Sequence, residues 1–166
     1  MRRAFGAMLL VAAALAQVTW APRLEVGGAF PNLVLLAVVA VTWTLGARSG
    51  LVWACVGGVL LDLTAPGPIG PHALALLPGV YVISFWIRNL EHPNALHVAL
   101  GAALTTALYS ASLVLTANLV GMPVPSFGVA AQLAFAAAVY NALLMPIAIE
   151  LVRRLQTLVR LGPQPT

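Results

Sequence analysis

Asp62 and His72 are the residues whose types and spacing come closest to a reactive pair. They flank a glycine- and proline-rich turn, Pro66-Gly67-Pro68-Ile69-Gly70-Pro71. A carboxylate facing an imidazole can relay protons or hold a cation. Two such groups are few ligands for a metal, however, and a polar residue opening a helix at an interface explains His72 equally well. Two readings stand open for Asp62. At mid-helix depth in lipid, an aspartate costs about 3 kcal/mol and marks function. Nearer the interface, it ties down the turn by accepting backbone N–H bonds. The remaining polar residues are quieter. His92 and His97 flank Pro93-Asn94 beside Glu91, which reads as a solvated loop face. Asn32, Asn118, Gln132 and Asn141 read as hydrogen-bonding partners between helices. The one cysteine, Cys55, has no disulfide or metal partner and reads as a small buried apolar residue. No phosphate loop, zinc motif, nucleophile elbow or dinucleotide turn is present. The expectation is a protein that is not an enzyme, with no catalytic, metal or cofactor-binding residue and no cofactor.

The elements that must position these residues follow from composition. Of the 166 residues, 61% are hydrophobic and only 7% charged. Soluble domains carry about 25% charged residues, so this chain has too little polar surface to cover a water-soluble globule. Lipid is the solvent it fits, and a single integral membrane domain over residues 1–166 is expected. The net charge of +4 comes from arginines set singly or in pairs at the ends of apolar runs, with no basic stripe for nucleic acid.

Six apolar spans can be parsed, at about residues 4–21, 31–47, 50–64, 72–87, 95–120 and 127–152. The first has a basic start and an Ala14-Leu15-Ala16 stretch like a leader-cleavage site. Its apolar run continues through Val18, Trp20 and Ala21, so a retained helix is expected. The second opens at Pro31-Asn32, with proline suited to a first turn, and ends with Arg48 snorkelling. The third is short, about 20 Å at about 1.5 Å per residue, against a hydrocarbon core of about 30 Å. Pro78-Gly79 and Pro146 mark possible kinks, and residues 161–166 read as a frayed end. Glu150 is spaced to pair with Arg153 or Arg154 on one helix face. The tryptophans, Trp20, Trp43, Trp53 and Trp86, fall mostly near span ends, with Trp53 a candidate for packing inside.

Six crossings give a charge bias that sets orientation. One side receives Arg2, Arg3, Arg48, Arg88, Arg153, Arg154 and Arg160; the other receives Arg23 alone. Both termini are then cytoplasmic and the Asp62 turn faces outward. Helices in lipid associate through small residues and hydrogen bonds. Gly57-Gly58 is the best candidate for close approach, because glycine within a helix is otherwise unfavourable. Gly46 and Gly50 share a four-residue spacing, as do Ala54 and Gly58. Ala130, Ala134, Ala138 and Ala142 repeat at the same spacing, by chance or as a packing seam.

The central hairpin resembles the MreD family of bacterial rod shape-determining proteins. Pro31-Asn32 opens the second span, and a glycine-rich third span ends in Leu60-Leu61-Asp62-Leu63. After the turn come Gly70-Pro71-His72-Ala73 and then Tyr81 in the fourth span. Pro71 departs from the pattern, where leucine is common. The resemblance covers about residues 31–88 at motif level. It implies an all-α membrane protein, a compact bundle of six transmembrane helices similar in architecture to the substrate-capture subunits of energy-coupling-factor transporters. It also implies a non-catalytic inner-membrane subunit of the machinery that elongates the lateral cell wall. Its implied partners are a bitopic MreC-like protein, the MreB filament, and RodA with its transpeptidase. Pro31, Asn32, Gly57, Gly58, Asp62, Gly70, His72 and Tyr81 are the structural or partner-binding candidates. The alternative is a vitamin- or small-molecule-binding membrane subunit of a transporter, which usually needs longer and more polar outer loops than these.

Overall fold

A computed structural model describes residues 2–25, 28–65 and 67–161. Among them run six α-helices: α1 (Arg2–Thr19), α2 (Leu33–Leu45), α3 (Ala47–Thr64), α4 (Pro71–Arg88), α5 (Ala95–Leu119) and α6 (Phe127–Leu161). A 3-10 turn, Ala21–Leu24, follows α1. Three of the helices, α3, α5 and α6, are long and apolar enough to cross a membrane, while α2 is apolar but shorter.

The bundle is built around α2, which touches each of the other five helices. Its sequence explains this. LVLLAVVAVTWTL carries no charge and is apolar on all sides, and such a helix is stable only when surrounded. Val34, Leu35, Val38, Val39 and Val41 are all but fully enclosed. Helices adjacent in sequence pack together from α2 onward, so α2 to α6 form successive hairpins.

Several boundaries differ from the sequence expectation. α1 stops at Thr19, and Pro22, which has no N–H to donate, falls in the 3-10 turn beyond it. Pro31 lies outside α2, one residue before the N-cap Asn32, and does not form its first turn. α2 ends at Leu45, short of residue 47, because Gly46 takes φ +87°, which side chains disfavour, while its N–H bonds back to the Thr42 carbonyl at 3.0 Å. Arg48 therefore sits in the first turn of α3 rather than at the tail of α2. α3 gains that turn and reaches 18 residues, about 27 Å.

α6 runs well past Val152, for 35 residues or about 52 Å. No helix breaker stands between Val152 and Leu161. Arg154 pairs with Glu150 at 2.8 Å, and Gln156 donates to the Thr44 hydroxyl at 3.0 Å. The side chains of Arg2, Arg3 and Arg160, the tail at 162–166, and Pro66 lie outside the described residues.

Side-chain placement brings further corrections. Cys55 is exposed on the outer face of α3, not buried. Asn118 and Gln132 also face outward and join no helix to another. Trp53 packs on Gly6 of α1, and Trp43 and Trp86 pack against the core, leaving Trp20 exposed. His97 is not simply loop surface. It forms a reciprocal cap with Asn94, whose side chain accepts from the His97 N–H at 3.0 Å and starts α5.

Candidate functional site

Two helix N-termini define the polar interior. The first four N–H groups of any α-helix lack partners within it. At α4, Gly70 is the N-cap with φ +128°, and Pro71 follows with no N–H at all. The remaining need is met across the hairpin by Asp62, from the last turn of α3. Its Oδ2 accepts the Gly70 N–H at 2.8 Å, and its Oδ1 accepts the His72 N–H at 3.0 Å. His72 Nδ1 also lies 2.7 Å from Oδ1. A carboxylate only accepts, so Nδ1 carries the proton and Nε2 is left free. The negative group stands at the positive end of the α4 dipole, where it is stabilising. Three of its roughly four acceptor positions are occupied, and its side chain is 1% exposed. Such a carboxylate holds a hairpin shut and has little capacity left for a substrate.

Gly57 and Gly58 lie one turn earlier on the same helix. A methyl group on Gly58 would stand 2.5 Å from the backbone nitrogen of Ala73, so the absence of a side chain lets the first turn of α4 approach. A methyl group on Gly57 would meet Val34 and Leu10 instead. Close approach and the Asp62 bonds therefore act on the same contact.

The second terminus is that of α2. The Asn32 side chain accepts the Leu35 N–H at 2.9 Å, while its own N–H donates to Asn141 Oδ1 at 3.0 Å. The Leu33 N–H donates to Gln17 Oε1 at 2.6 Å, and Gln17 Nε2 donates to the Pro31 carbonyl at 3.3 Å. Asn141 Nδ2 donates to the Thr106 hydroxyl at 3.0 Å. One network thus joins α1, α2, α5 and α6. Replacing the fully enclosed Asn141 by leucine removes both bonds and strands the Asn32 N–H. We expect a loss of about 1–3 kcal/mol, read as a lower midpoint on denaturation in detergent micelles. Thr106→Val, which leaves the Asn32 contact intact, is expected to lose less.

The candidates are thus divided. Asp62, Gly70 and His72 meet in one cluster with Gly58 beneath it, and Pro31 and Asn32 belong to the other. Tyr81 joins neither. It is exposed on the outer face of α4, in a groove with Thr42, Ser84 and Arg88. Sequence reasoning missed Gln17 and Tyr109. Tyr109 is buried on α5, with its ring centroid 6.3 Å from that of His72. A lone glutamine at the end of an apolar run was the available signal for Gln17; Tyr109 had none beyond its hydroxyl. Among the described residues, no group of three His, Cys, Asp or Glu side chains is placed to hold a metal ion.

The family model of the rod shape-determining protein MreD matches residues 3–155. The chain belongs to the MreD family. Both polar clusters and every candidate residue fall within the matched range. MreD proteins are inner-membrane proteins that act in rod shape determination, in the machinery that also contains MreC and MreB, and are not known as enzymes. No curated protein and no solved structure matches the chain.

Proposed function

We propose that this MreD protein is a non-catalytic scaffold of the lateral-wall elongation machinery, a single integral membrane domain of six spans with both termini cytoplasmic. In this reading it binds an MreC-like bitopic protein and links RodA, its transpeptidase and the MreB filament through helix flanks. The observation that carries the proposal is where the polar groups go. Asp62, Asn32, Gln17 and Asn141 are committed to helix ends and helix contacts. The outer faces are left apolar, with Phe85, Leu115, Phe135, Leu143 and Ile147 exposed.

The same bonds support six crossings. α2 has 13 residues, about 20 Å, which is short of a hydrocarbon core of about 30 Å. Irregular backbone at membrane depth is tolerated only where protein or water satisfies it. Gln17 and Asn141 do this at Pro31-Asn32, and Asp62 does it at Gly70. Arg48, Arg88, Arg153 and Arg154 then share the end of the bundle opposite these connectors, which suits a cytoplasmic face.

The test is affinity isolation of the tagged full chain from mild detergent, with crosslinking from exposed helix positions. A single-pass MreC-like protein is expected in near-equal amount. Recovery of the chain without it, carrying a stoichiometric vitamin, would instead establish a transporter subunit.

A further inference from the structure

A cavity of about 430 Å³ lies at the connector end of the bundle, between the beginnings of α2, α4 and α6 and the middle of α5. We propose that it binds one uncharged amphipathic molecule. The apolar body would lie against Leu61, Leu113, Leu133 and the alanines of α6, and a hydroxyl or carbonyl end would meet Tyr109 and His72. The scaffold role requires no such ligand, so this goes beyond it.

Size and lining both support a ligand site. Ligand sites occupy roughly 300–1,000 Å³ and are mostly apolar, with a few convergent polar groups. Among the described residues, no Arg, Asp or Glu side chain lines this one. An ion there would stand against a mostly apolar wall with no lining counter-charge, which is unfavourable. The cavity exists because α6 presents small residues to it. Ala130, Ala134 and Ala137 form its wall, and leucines there would fill it. Of the α6 alanine repeat, Ala138 is buried beyond the cavity.

The polar groups divide in a way that points to a ligand. Gln17, Thr106 and Asn141 line the cavity but are already committed to the α2 network. His72 has Nδ1 on Asp62, which leaves Nε2. Tyr109 is 8% exposed and lines the cavity near Asn32, and its hydroxyl makes no hydrogen bond among the described residues, so it can both donate and accept. Ser110 adds another hydroxyl on the same wall.

The experiment uses the full chain in lipid nanodiscs with a diazirine-bearing monoacylglycerol as the uncharged probe. Diazirine-bearing phosphatidylglycerol serves as the charged comparator. Adducts of the uncharged probe are expected to concentrate on Leu113, Leu133 and the neighbouring alanines, while the charged probe labels only the outer flanks. Ala137→Leu, which fills the cavity, is expected to lower the cavity adduct at least about tenfold, equivalent to about 1.4 kcal/mol. Tyr109→Phe removes one oxygen and no packing atoms, and is expected to lower it about threefold or more. That variant carries the test if Ala137→Leu fails to fold. Extracting the purified protein between solvent and water assigns the source. A bound molecule in the organic phase is a lipid, and one in the aqueous phase is a soluble metabolite. Adducts spread evenly over the flanks and unchanged by both substitutions would overturn the proposal. Partner isolation is scored on the same preparations, so an MreC-like protein retained by Ala137→Leu separates this outcome from failure of the scaffold reading.

Discussion

Replacing Asp62 by alanine is expected to lower the stability of the folded chain by about 3–5 kcal/mol, a larger effect than any other single polar substitution here. Three donors lose their acceptor together: the N–H groups of Gly70 and His72 and the His72 ring. Stranding a buried N–H costs about 1–3 kcal/mol, more when its partner was charged. Two backbone donors are stranded at once. Asp62→Asn sharpens the claim, because it keeps the shape. Its amide retains one acceptor oxygen but turns an NH2 group toward one of the two N–H donors, so about 2–4 kcal/mol is expected. His72→Ala loses only the ring contact and keeps the backbone bond, and about 1 kcal/mol is expected. Denaturation by graded SDS in mixed micelles, followed by circular dichroism, ranks the variants. A change below about 0.5 kcal/mol for Asp62→Asn, the size of an ordinary surface substitution, would remove Asp62 from its role as the cap of α4. Co-isolation of the MreC-like partner is expected to fall in the same order.

The outline of this hairpin was legible because its signals are local. A Pro/Gly turn after an apolar run stops α3 whatever surrounds it, and Pro71 starts α4 because its fixed φ and missing N–H suit a first turn. The junction at Gly46 was legible only in part. The glycine was visible, but its positive φ, which moves Arg48 into the next helix, depends on how α2 and α3 dock. At the far end of α6 the expected span ended at Val152, just before a pair of arginines. Charge marks an interface without breaking a helix, so the helix continues to Leu161. Which face of each helix turns inward could not be read. In a water-soluble bundle, polarity distinguishes outside from inside, but here both are apolar. Cys55 was accordingly misplaced, and Asn141 could not be told from Gln132 by type. Only the packing of α6 against α2 puts Asn141 in reach of the Asn32 N–H. The cavity was invisible for the same reason, since the alanines that form it resemble those that pack.

Gly58→Ala and Gly57→Ala are expected to move stability in different ways, although they are adjacent and chemically identical. Each gains up to about 1 kcal/mol of helix propensity. At Gly57 the new methyl group meets Val34 Cγ1 at 2.8 Å and Leu10 Cδ1 at 3.2 Å. Those are ends of side chains and can give way, so the net change is expected within about 1 kcal/mol of zero. At Gly58 the methyl group would stand 2.5 Å from the Ala73 nitrogen and 2.8 Å from its Cβ. Backbone cannot rotate away, so α3 and α4 must separate, and overpacking of this kind costs about 1–3 kcal/mol or more. The separation has a second consequence. Asp62 lies one turn beyond Gly58 on the same face, so a wedge at Gly58 lengthens the bonds to Gly70 and His72. The net loss for Gly58→Ala is therefore expected to be about 2–4 kcal/mol, despite the gain in propensity. Because both substitutions act on one contact, Gly58→Ala combined with Asp62→Ala should lose clearly less than the sum of the two, a coupling of about 0.5–3 kcal/mol. Simple additivity in that double-mutant cycle, or equal effects at the two glycines, would mean that the α3–α4 contact is not held by close approach and the carboxylate together.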